Sequence, residues 1–103
     1  ETDVSGGLDK DVIAEVIKSE IGQIRYCYER QLPGNRDLAG KVQIKFSIGA
    51  EGSVIDQRIG LTELKNADVE GCILRRVTRW KFPQPKGGTI VNVTYPFFFK
   101  SMN

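Results

Sequence analysis

Hydrophobic and polar positions along the chain change period several times, and each change marks an element. From Asp9 onward Ile13, Ile17, Ile21, Ile24 and Tyr28 recur at helical spacing. Asp9 reads as the N-cap, and Asp11 places a further negative charge in the first turn. The helix must stop by Leu32, because Pro33 and Gly34 follow. KVQIKFSI then alternates: Val42, Ile44, Phe46 and Ile48 point one way, Lys41, Gln43, Lys45 and Ser47 the other. That is a half-buried strand with one wet face. GAEGS turns the chain into SVIDQRIGL, which closes a hairpin. Val54 and Ile59 lie an odd number of residues apart, so a bulge is expected near Asp56. Asn66 caps a second helix with the stripe Val69, Ile73, Val77 and Trp80, ended by KFPQP. A last strand follows in TIVNVTYPFFFK, where Val91, Val93, Tyr95, Phe97 and Phe99 share one parity.

The order α-β-β-α-β predicts an α+β fold. The third strand returns beside the first, giving a three-stranded antiparallel sheet of order 2-1-3, with two helices packed on one face. Residues 1–7 read as the end of a linker and residues 8–103 as the folded domain, cut from a longer chain. A chain of 103 residues forms one modest core, hiding about 60 to 70% of the unfolded surface. Stability is therefore marginal, and one cross-link matters.

Charge and residue inventory narrow the chemistry. The net charge of +2 is too small for a nucleic-acid domain, which carries a concentrated basic patch. The aromatic tail YPFFF could stack bases, but no basic stripe accompanies it. Histidine is absent, and with it the commonest general base and metal ligand. Ser19 and Ser47 have no histidine to activate them, and no phosphate-cradling glycine loop of the P-loop kind occurs. These observations give no positive sign of an enzyme. Arg75, Arg76, Arg79 and Lys81 cluster near the end of the second helix, where they complement the helix dipole; an anion site is the minor alternative.

The cysteines, Cys27 and Cys72, fall on the flanks of the two helical stripes. Helices lying side by side on a sheet meet along such flanks. Two readings stand: buried free thiols, and a disulfide across the groove, which the flank placement favours. Cys-x-x-Cys spacing is absent, and two thiols without histidine do not close a metal site. A disulfide implies an oxidising compartment.

A helix ending in Cys27-Tyr28-Glu29-x-x-Leu32 is followed by Gly40-Lys41-Val42-x-Ile44-x-Phe46-x-Ile48-x-x-x-Gly52-x-Val54. A helix bearing Cys72 comes next, then Trp80-x-Phe82-Pro83-x-Pro85 and Val93-x-Tyr95-Pro96-Phe97-x-Phe99. This succession, from Leu8 to Lys100, resembles the TonB C-terminal domain superfamily. More narrowly, it resembles the cysteine-containing TonB-like domains of myxobacterial gliding-motility proteins. The resemblance implies a periplasmic, non-enzymatic module that binds no cofactor, at the end of a protein anchored upstream in the inner membrane. It implies work passed from the inner-membrane proton gradient to outer-membrane or periplasmic partners. The expected contact is an extended peptide segment added as a strand to the last strand, at Thr89, Val91, Asn92, Val93, Thr94 and Tyr95. Pro96 lacks the N–H that a central strand needs and marks this strand as an edge. Neither nucleic acid nor direct membrane contact is expected within residues 1–103. The alternative is a passive structural or assembly domain of an envelope complex, with no exchangeable peptide ligand.

Overall fold

A computed structural model describes residues 2–101. Its elements are β1 (Asp3–Ser5), α1 (Lys10–Ser19), α2 (Ile21–Glu29), β2 (Gly40–Ile48), β3 (Val54–Thr62), α3 (Ala67–Val77) and β4 (Val91–Phe99). Short 3-10 turns occur at Leu32–Gly34 and Lys86–Gly88. The sheet is antiparallel throughout, in the order β1-β4-β2-β3. The α+β class and the placing of the first long strand between the other two agree with the sequence reading. The counts differ: four strands rather than three, and three α-helices rather than two.

The additional helix arises because the expected first helix breaks at Glu20. The Ser19 hydroxyl donates to the Val16 carbonyl at 2.6 Å, and Gly22 follows closely. A serine that bonds backward, near a glycine, is a common cause of a helix kink. The break leaves Ile13 and Ile17 of α1, and Ile24 and Tyr28 of α2, all buried. Both helix starts expected from sequence are capped as read. Asp9 accepts from the Asp11 amide at 3.1 Å, and Asn66 accepts from the Val69 amide at 3.0 Å.

The additional strand lies in the expected linker end. Asp3–Ser5 pairs with β4 in the register Asp3↔Thr94, Val4↔Val93, Ser5↔Asn92. The two glycines after it pack tightly against the chain that enters β4. A side chain at Gly6 would meet Val91, and one at Gly7 would meet the Lys86 backbone. The Lys86 amide donates to the Gly7 carbonyl at 3.0 Å.

One core unites the sheet and the helices. Val42, Ile44, Phe46 and Ile48 are buried from one face of β2, as are Val91, Val93, Phe97 and Phe99 from β4. Trp80 lies just beyond α3 and meets Phe46 edge-on, with ring centroids 6.1 Å apart. The hairpin tip is tied to the same region: the Phe82 amide donates to the Gly52 carbonyl at 2.9 Å. Cys27 and Cys72 form a disulfide, with Cα atoms 5.6 Å apart. It joins α2 to α3 and leaves no free cysteine among the described residues.

Candidate functional site

The edges of the sheet decide where another chain could add. β3 is a long edge, but its ladder with β2 is irregular twice, between Val42 and Ile44 and between Lys45 and Ser47. The second irregularity is the bulge expected at Asp56, whose φ of 55 places it in the left-handed region. Bulges twist a strand away from a flat partner and blunt its edge. Asp56 and Arg58 add exposed charge there.

β4 offers a more regular backbone. Its ladder with β2 runs unbroken from Gly40↔Phe99 to Ile48↔Val91. Its outer side is divided. Over Asn92, Val93 and Thr94 it is already paired with β1. From Tyr95 to Phe99 no described strand pairs with that side.

The expectation of an open edge over the first half of this strand is therefore corrected. Thr89 precedes the strand, with its hydroxyl donating to the Lys86 carbonyl at 3.1 Å. Val91 and Val93 are buried in the core. Asn92 faces the open side of the sheet and accepts from the Ser47 hydroxyl at 2.7 Å. Thr94 is half-buried, and Tyr95 packs against the core beside Phe97. Three of the six positions thus have their outer side occupied by the chain's own N-terminal residues. The pattern could not announce this, because Asp-Val-Ser among polar and glycine residues carries no strand signal of its own.

The unpaired half of β4 carries an exposed aromatic side chain and borders two clefts. Phe98 is 62% exposed on the open sheet face, opposite Lys41. Two shallow clefts, of about 90 and 180 Å³, lie between this half-strand and α2. Ile21, Ile24 and Arg25 wall the first; Arg25, Tyr28 and Glu29 wall the second. A sequence signal for Phe98 existed: in the run Phe97-Phe98-Phe99 it has the parity of the wet face.

Tyr28 fixes the α2 wall. Its hydroxyl lies between two carbonyls, that of Leu38, to which it hydrogen-bonds, and that of Lys100 at 2.9 Å. Its ring stacks on Phe99 with centroids 4.7 Å apart. Burial, and after it the Glu29 carboxylate, push the phenol pKa above its usual value. The group stays protonated at neutral pH and holds the end of β4 to α2. Among the described residues no group of three or more His, Cys, Asp or Glu side chains is placed to hold a metal, and no helix is long and apolar enough to cross a membrane. Comparison of the chain with protein-family models, curated proteins and solved structures finds no match.

Proposed function

We propose that this chain is a non-enzymatic protein-binding module that takes an extended segment of a partner protein as an added strand on the outer edge of β4. One observation carries the reading: that edge already accepts a short added strand, Asp3–Ser5, while Tyr95–Phe99 beside it is unpaired and carries an exposed Phe98. The partner segment pairs along Tyr95–Phe99 and extends over Asn92–Thr94 by displacing β1. Backbone bonds supply affinity, and the clefts against α2 select side chains. Pro96 removes one donor from the edge and weakens pairing at that position. A contact this small gives affinity on the order of micromolar.

The disulfide supports an oxidising compartment. With the TonB-like motifs, it points to the periplasm and to a protein anchored upstream in the inner membrane. There the module couples inner-membrane energy to an outer-membrane or periplasmic partner, in the manner of gliding-motility machinery. The pairing of β1 over Asn92–Thr94 favours a second reading, a closed assembly domain that exchanges no peptide.

Selection of extended peptides from a random library, followed by NMR mapping of the selected sequences, separates the two. A binding module yields peptides whose amide shifts concentrate on residues 92–99. No selectable peptide, or shifts confined to β3 and the helices, contradicts the proposal.

A further inference from the structure

On the helical side of the molecule, α2 and α3 bring four guanidinium groups together. Arg30, at the end of α2, and Arg75, Arg76 and Arg79, at the end of α3, line a cleft of about 240 Å³ whose remaining lining residue is Cys72. The disulfide holds the two helices together here, so Arg30 is kept beside the other three. No carboxylate lines the cleft, and no ion pair joins any of the four to an acidic side chain among the described residues. The Arg30 guanidinium lies over the face of Tyr26, 5.8 Å from the ring centroid.

Helix dipoles explain part of this arrangement. Each helix C-terminus supplies about half a negative charge, so two supply about one. Four guanidiniums then leave roughly three positive charges without a counter-charge around one small concavity. Guanidinium forks pair with phosphate oxygens through two parallel N–H bonds, and several forks converging on one cleft suit a group with many acceptor oxygens.

We propose that this cleft binds a phosphomonoester or diphosphate group, held by Arg30 on one side and by Arg75, Arg76 and Arg79 on the other. The site is separate from the β4 edge and does not depend on it. Such a phosphate comes either from a soluble compound or from a lipid headgroup at a membrane surface.

The test uses the whole chain at constant ionic strength, maintained with chloride. Inorganic pyrophosphate is titrated in solution, and phosphatidylcholine vesicles doped with phosphatidic acid are offered in parallel. Saturable amide shifts at residues 30 and 72–79 are expected. Arg30→Gln and Arg76→Gln should each weaken binding about tenfold. Lys45→Gln, on β2 and outside the cleft, should leave it unchanged. Binding to pyrophosphate supports the site with a soluble source; binding to the vesicles alone supports it with a lipid source. No saturable shift with either probe, or equal weakening by Lys45→Gln and Arg76→Gln, overturns the proposal.

Discussion

Tyr28 shows how one side chain joins stability to the candidate site. Its phenol keeps its proton longer in the folded chain than in the unfolded one, because its folded pKa is raised. Its contribution is therefore whole below about pH 10 and is lost as pH rises through the folded value. Tyr28→Phe should cost about 1 to 3 kcal/mol at neutral pH, since it leaves the buried Leu38 carbonyl without its donor. The difference in melting temperature between the two proteins should shrink above about pH 10; a constant difference across that range would contradict the assignment. Trp80 acts differently. It is buried and meets the Phe46 and Phe82 rings edge-on, so packing volume is its main contribution. Trp80→Ala should cost about 3 to 5 kcal/mol. Trp80→Phe should cost clearly less in urea unfolding, and equal costs would show that the indole matters for more than size. The disulfide closes a long loop, with a sequence separation of 45. Replacing both Cys27 and Cys72 by Ala should remove up to about 4 kcal/mol, and thiol counting on the denatured, unreduced protein should find none free.

At the scale of elements, strong periodic patterns were readable and context-made elements were not. β2 and β3 occupy nearly the spans that alternation and turn residues indicated, and the odd spacing of Val54 and Ile59 foretold the bulge at Asp56. The flank positions of Cys27 and Cys72 indicated a groove that the disulfide crosses. The break at Glu20 was hidden because Ile13, Ile17, Ile21, Ile24 and Tyr28 keep a helical period across it. β1 was hidden because its pairing derives from the edge it meets, not from its own residues. At the hairpin tip Gly52 has a φ of 88, and a side chain there would collide with the Phe82 backbone. Gly52→Ala should therefore lower stability by at least about 2 kcal/mol. Gly34→Ala, with open space around it, should change the urea midpoint little. Equal effects at the two sites would show that the tie between the hairpin tip and Phe82 is not structural.

At the scale of the molecule, one edge of the sheet is blunted by bulges and charge, and the other is half closed by the chain itself. Both devices limit the two known costs of exposed strand edges, aggregation and wrong pairing. In the proposed binding mode the three-residue β1 gives way, which opens the whole outer side of β4. The most direct test compares the affinity of a selected extended peptide for the whole chain and for the chain lacking residues 1–5. Removing the competing strand should tighten binding about tenfold, with amide shifts spread over residues 92–99. Unchanged affinity, or shifts that fall on β3 and the helices, would contradict a partner strand taking the place of β1.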